Sequence, residues 1–235
     1  PSFTSEHILA AILFQRTMES KINGKPSADY LWEDKGIVPI LKVDKGLAEE
    51  ADGVQVMKPM PALDDLLKEA VNDHIFGTKM RSVIKAANPI GIKKIVDQQF
   101  EIGMRICAYG LVPILEPEVD IHISDKAEAE ELLLKEIKEH LAALTKDVQI
   151  MFKVTIPTKA GLYSEIMHDP HVARVVALSG GYSRKEADEL LKENPGLIAS
   201  FSRALLSDLN VKQTEEEFNK ALEEAITEIY QASVK

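Results

Sequence analysis

Residues 151–158 read MFKVTIPT. Met151, Phe152, Val154 and Ile156 suit a strand buried on both faces, the kind found in parallel sheets covered by helices. Lys153 breaks that run. A fully buried, unpaired lysine is among the rarest groups in a globular core. A strand of this kind also needs neighbours of the same kind, and the chain supplies them. Apolar runs recur at Ile8–Phe14, Ile37–Val43, His74–Met80, Leu111–Leu115, Val148–Val154, Arg174–Leu178 and Leu197–Phe201.

Amphipathic segments separate these runs. Ala62–Asn72 places Leu63, Leu66, Leu67 and Val71 at helical spacing, and Gly91–Tyr109 is longer. Ser124–Leu144 opens with Ser124 as its expected cap, and Ser183–Glu193 carries Ser183 with Glu186 three residues on, a capping box. Lys212–Ser233 closes the chain. Strand–helix alternation with short connections predicts βαβ units and a parallel sheet, hence an α/β protein. Seven strands are one short of a (β/α)8 TIM barrel. The chain begins Pro-Ser-Phe, and an absent first β/α unit would account for the difference. A doubly wound open sheet is the competitor, but no Gly-x-Gly-x-x-Gly follows the first strand. With no linker, repeat or low-complexity tract, one domain spanning 1–235 is expected.

The 235 residues carry a net charge of −10. That makes nucleic acid a poor partner, because binding a phosphate backbone takes a basic surface. No apolar run approaches the ~20 residues of a membrane span. The single cysteine, Cys107, allows no internal disulfide and suits a reducing, cytoplasmic setting.

Barrel enzymes carry function at the C-terminal ends of their strands, and there six segments turn polar. VPILKVDKG holds Lys42, Asp44 and Lys45; FGTKMR holds Lys79 and Arg81; VPILEPEVD holds Glu116 and Glu118. MFKVTIPT holds Lys153 and Thr155, ALSGGYS ends in Ser179, Gly180 and Gly181, and ASFSRAL holds Ser200, Ser202 and Arg203. Residues two apart on a strand share a face, so Lys79 and Arg81 pair in direction, as do Glu116 and Glu118. Converging strand ends would gather these cations and carboxylates at one mouth. Burial and neighbouring cations both disfavour an ammonium ion, and a neutral amine attacks carbonyls. A carboxylate beside it can carry the protons that imine formation requires. The Ser-Gly-Gly turn before a helix is an anion site in outline, and Arg203 could add a charged fork.

Each feature also has a structural reading. Lys153 could snorkel or pair with a carboxylate, Glu116 and Glu118 could be ordinary ion-pair partners, and Lys42, Lys79 and Arg81 could be solvated rim charges. A glycosidase would also use two carboxylates, but facing each other across a sugar. His168 and His171 straddle Asp169-Pro170 without the further ligands a metal site needs. Cys107 reads as core, and Tyr30 with Trp32 as part of a loop over Ala28–Asp34.

Taken together, the segments ILAAILFQRTM, ILKVDKGLAEE, FGTKMR, LVPILEPEVD, MFKVTIPT, LSGGYSRKEA and FSRAL, in that order, resemble the class I, Schiff-base fructose-bisphosphate aldolases, and most closely their shorter bacterial form. The resemblance implies reversible cleavage of fructose 1,6-bisphosphate into dihydroxyacetone phosphate and glyceraldehyde 3-phosphate. It implies a covalent imine on Lys153, with neither metal nor other cofactor. Glu116 matches the proton-moving glutamate, Glu118 its neighbour, and Lys79 and Arg81 the residues stabilising charge beside the imine. Lys42, with Asp44 beside it, matches a lysine of the distal phosphate. Ser179, Gly180 and Gly181 match the other phosphate's cradle, with Ser202 and Arg203. Ser202 departs from the animal pattern, which has glycine there. The family's first strand carries an aspartate for carbon–carbon cleavage and serines for the distal phosphate, and the matched segments begin after it. The expected partner is a phosphorylated sugar, with neither nucleic acid nor membrane, and a homo-oligomer is left open. Two alternatives stand beside this reading: another Schiff-base lyase on a phosphorylated sugar, and a non-catalytic phosphate-binding barrel used as a scaffold.

Overall fold

A computed structural model describes residues 3–145 and 147–234. Pro1, where the expectation of an absent first unit is anchored, lies outside them. Among the described residues seven strands lie parallel: β1 (Ala10–Leu13), β2 (Val38–Lys42), β3 (Gly77–Ile84), β4 (Val112–Val119), β5 (Ile150–Thr155), β6 (Val172–Leu178) and β7 (Ile198–Ala199). They neighbour one another strictly in chain order, from β1 to β7. A doubly wound sheet would reverse its order at a switch point, so the curled, singly wound arrangement excludes that competitor. A short antiparallel strand, Val54–Gln55, pairs with the end of β3.

Five helices follow strands: α1 (Leu63–Asn72), α2 (Pro89–Cys107), α3 (Lys126–Ala142), α4 (Arg184–Lys192) and α5 (Glu215–Ser233). Asn88 caps α2, its side chain accepting from the N–H groups of Ile90 and Gly91, with Pro89 at the first helical position, where a missing N–H costs nothing. The capping box at Ser183 and Glu186 forms as expected, and Thr214 with Glu217 makes a second at the start of α5. Ser124 does not cap α3. The N-cap is Asp125, and its carboxylate instead accepts from the Ala87 N–H at 2.7 Å, tying down the loop after β3. The stretch around Trp32 is no loop either: a helical turn at Ser27–Asp29 runs into a π-helical turn at Tyr30–Asp34, with Trp32 exposed.

The helix layer fixes which way each strand residue faces. Gln99 of α2 donates to Ser82 Oγ at 2.6 Å. A Cβ built on Gly103 of α2 would meet Leu115, Pro113 and Met80. The rings of Phe100 and Phe152 lie 6.0 Å apart. Met80, Ser82, Leu115 and Phe152 therefore face the helices. Their strand neighbours Lys79, Arg81, Glu116 and Lys153 face the other way. One hydrophobic cluster extends from Met18 to Ala232.

Two strands run further than their apolar runs predict. The β3–β4 ladder continues from Gly77↔Val112 to Ile84↔Val119. Arg81, Glu116 and Glu118 thus lie within strands, not beyond their ends, because opposite charges pair across the ladder. Among the described residues no helix is long and apolar enough to cross a membrane.

One buried acid stands apart from this face. Asp188 of α4 is 6% exposed, and its Oδ1 has no hydrogen-bond partner. Burial, then the Glu228 carboxylate of α5, raises its pKa to about 6. The folded state therefore holds this proton more tightly than the unfolded chain does, and the associated stability is lost as pH rises from about 4 to about 6. Asp188→Asn is expected to raise the melting temperature at pH 7.5 and to flatten the pH dependence of stability across that window, as thermal melts in a pH series will show.

Candidate active site

Register brings the polar residues together. Lys42 is aligned with Lys79, Lys79 with Ile114, and Ile114 with Met151. Aligned residues of parallel strands share a face, and so do residues two apart. Lys42, Lys79, Arg81, Glu116, Glu118 and Lys153 accordingly point to one side of the sheet, away from α2.

Glu116 is the hub. It is 3% exposed. Its Oε1 lies 3.0 Å from Lys153 Nζ and its Oε2 lies 2.8 Å from Lys79 Nζ. One carboxylate thus joins amines from two other strands. Lys79 also approaches Asp44 Oδ2 at 3.7 Å, and Asp44 pairs with Lys42 at 2.6 Å. Lys42 donates as well to the Asp44 carbonyl at 3.0 Å. Arg81 and Glu118 form a bidentate pair at 2.6 and 2.9 Å, which holds the guanidinium firmly protonated. Asp44, Lys79, Glu116, Glu118 and Lys153 are all buried.

The cations and carboxylates expected at one mouth are paired there, so that Lys153 faces a carboxylate as well as its neighbouring cations. Each cation has a carboxylate: Lys42, Asp44, Lys79, Glu116 and Lys153 form one chain of ion pairs, and Arg81 with Glu118 forms a separate pair beside it. Burial without pairing would be far costlier. Two carboxylate oxygens are held by charge rather than by aligned hydrogen bonds. Asp44 Oδ2 and Glu116 Oε2 are buried and make no well-aligned hydrogen bond, although both lie near Lys79 Nζ.

The Ser-Gly-Gly turn closes over the same strands. Gly180 and Gly181 have φ of +62° and +122°, a region that favours glycine. A Cβ on Gly180 would meet Ile121 Cγ2 at 2.8 Å and Thr155 Cγ2 at 3.5 Å. Ser179 is buried. The helix beyond does not offer all its amides: Ser183 N–H donates to Glu186 Oε2 at 3.0 Å within the capping box. Ser202 and Arg203 are not brought to the lysine cluster on a strand end. β7 stops at Ala199, Ser202 is the N-cap of the short helix Arg203–Leu206, and both residues are exposed.

One buried pair escapes sequence reasoning. Lys126 ion-pairs with Glu130 and donates to the Ile156 carbonyl and to Thr158 Oγ1, each at 3.0 Å. Glu130 accepts from the Thr158 N–H at 2.9 Å. Together they pin the exit of β5, just after Lys153. The signal was Lys126-x-x-x-Glu130 at helical spacing, which reads more readily as a solvated ion pair. His168 and His171 bond separately, to the Ser164 carbonyl and to Asp169.

The fructose-bisphosphate aldolase class 1 of Clostridium acetobutylicum is 58% identical over 233 residues, which is 99% of this chain and 79% of the relative. The chain belongs to the class 1 fructose-bisphosphate aldolase family. Aldolases of the same description from Porphyromonas gingivalis and Synechocystis sp. are also 58% identical, covering the whole of this chain and 80% and 78% of their own lengths. A fructose-bisphosphate aldolase of Plasmodium falciparum, solved in complex with TRAP and a small-molecule inhibitor, shares the fold with a TM-score of 0.75 at 24% identity, over 100% of this chain and 81% of that one. No family model matches.

Proposed function

We propose that this aldolase chain cleaves fructose 1,6-bisphosphate reversibly through an imine on Lys153. The observation that carries the reading is the Lys153–Glu116–Lys79 bridge, with Glu116 3.0 Å from one amine and 2.8 Å from the other. Neutral Lys153 Nζ adds to the ketone carbon, giving a carbinolamine. Glu116 takes a proton from the nitrogen side and returns one to the departing hydroxyl, which leaves as water. The resulting iminium accepts the electron pair of the breaking carbon–carbon bond and becomes an enamine. The proton lost from the cleaved carbon's hydroxyl goes to a base, the role the family assigns to its first-strand aspartate. Lys79 and Arg81 stabilise developing negative charge. Asp44 Oδ2, buried and no nearer than 3.7 Å to Lys79 Nζ, suits a substrate hydroxyl.

Lys42 with Asp44 serves the distal phosphate. Ser179, Gly180 and Gly181, with Ser202 and Arg203, serve the other. No metal enters this route. The chain is read as one domain acting in the cytoplasm. Its sheet is read as a (β/α)8 barrel, because β1 and β7 end the path of strands and one further strand between them would close it.

Borohydride reduction in the presence of dihydroxyacetone phosphate tests the reading. A mass increment on Lys153, unchanged by excess chelator, is the expected result. An intact chain that gives no adduct overturns the imine.

A further inference from the structure

We propose that Thr155 is a positioning residue for the imine, an inference that rests on the function proposed above. β4 and β5 are joined by regular pairing only at Ile114↔Met151 and Leu115↔Phe152, below the level of Lys153. Above that level a side chain takes over. Thr155 Oγ1 donates to the Val119 carbonyl at 2.7 Å and accepts from the Val119 N–H at 2.9 Å. Thr155 and Val119 are both fully buried.

Between the two attachments lie Glu116, Pro117 and Glu118 on β4 and Lys153 and Val154 on β5. Pro117 has no N–H and donates no rung there. On its other edge β5 stays in register with β6 through Thr155↔Leu178. Lys153 is thus carried on a strand paired with β6 without a break from Met151 to Thr155, but tied to β4 only at Met151 and Phe152 below it and at Thr155 above it. The 3.0 Å separation of Lys153 Nζ from Glu116 Oε1 is set across this gap. The threonine hydroxyl is the upper of the two ties, because it replaces both backbone partners that β5 does not supply to Val119.

Removing the hydroxyl while keeping the shape isolates this role. In Thr155→Val the upper tie is lost, Glu116 and Lys153 move apart, and proton transfer in imine formation slows. Misplacement by about 1 Å can cost about a hundredfold in rate. The expected result is a fall in kcat and in the borohydride-trapping rate of about tenfold to a hundredfold, with KM changed by less than about threefold. The pH profile of trapping should change shape, and Thr155→Ser, which keeps the hydroxyl, should restore the rate. Wild-type trapping kinetics for Thr155→Val overturn the proposal, as does a serine variant as slow as the valine variant. If Thr155→Val does not fold, Thr155→Ala compared with Thr155→Ser gives the same reading, and equal rates overturn the proposal. Absence of any adduct in the wild-type chain is a different result, and it removes the imine itself.

Discussion

Lys153→Met is expected to lose borohydride-trapped adduct entirely and turnover by on the order of 10⁵-fold, the scale seen when a covalent nucleophile is removed. Stability should not fall with it. Methionine matches the lysine stem in length and carries no charge, and Glu116 keeps Lys79 at 2.8 Å as its partner. Replacing one member of a buried ionic cluster by an apolar side chain of similar volume is often neutral or stabilising, provided the remaining charge stays paired. Thermal melting within a few degrees of wild type is therefore part of the prediction. Lys153→Arg should be equally inactive, since a guanidinium does not deprotonate. The informative competitor is Lys79, which shares the same carboxylate. Should Lys153→Met still acquire a reduced adduct, with peptide mapping placing it on Lys79, the assignment of the nucleophile fails.

The opposite faces of MFKVTIPT were legible because the period of a strand is two, and Phe152 and Lys153 fall on alternate sides whatever their neighbours are. The capping box at Ser183 was equally local, decided within four residues. The charge pairing was not legible. Glu116 meets Lys153 and Lys79 through strand registers, and a lysine's partner 37 residues away leaves no trace in its own neighbourhood. The same blindness explains Lys126 and Glu130, whose helical spacing is that of a solvated pair until the exit of β5 covers them. It explains Asp125 as well, which displaced Ser124 at the start of α3 because its carboxylate had a distant amide to satisfy at Ala87. Arg203 reaches a strand end only if the whole apolar run Leu197–Phe201 is strand, and the strand there is two residues long. The family resemblance supplies roles for Lys153, Glu116, Lys79 and Arg203 but none for Asp125, Lys126 or Glu130. The geometry ties five charged groups into one chain with Arg81 and Glu118 paired beside it, and leaves Ser202 and Arg203 outside.

Glu116→Gln should separate proton transfer from charge pairing. The amide preserves size and one acceptor but removes the negative charge between two amines. General acid–base catalysis contributes about 10²- to 10⁴-fold, so kcat is expected to fall within that range while KM moves little. Because Lys153 is intact, some adduct should still form, at a rate reduced in parallel with kcat. The fold should suffer too, unlike in Lys153→Met. Lys79 would be left with only Asp44 at 3.7 Å, and Lys153 with no carboxylate from this pairing. Breaking a buried pair by removing one partner costs about 3–5 kcal/mol, and the retained acceptor places this case near the lower figure. For a chain of this size that is a melting temperature lower by roughly 10 °C. Glu118→Gln makes the contrast. Glu118 is bound to Arg81 at two points and is not the partner of Lys153, so its change should disturb the placement of the guanidinium, raising KM more than it lowers the trapping rate. If Glu116→Gln and Glu118→Gln slow trapping equally, Glu116 does not carry the protons of imine formation, and the hub is an electrostatic support for two lysines.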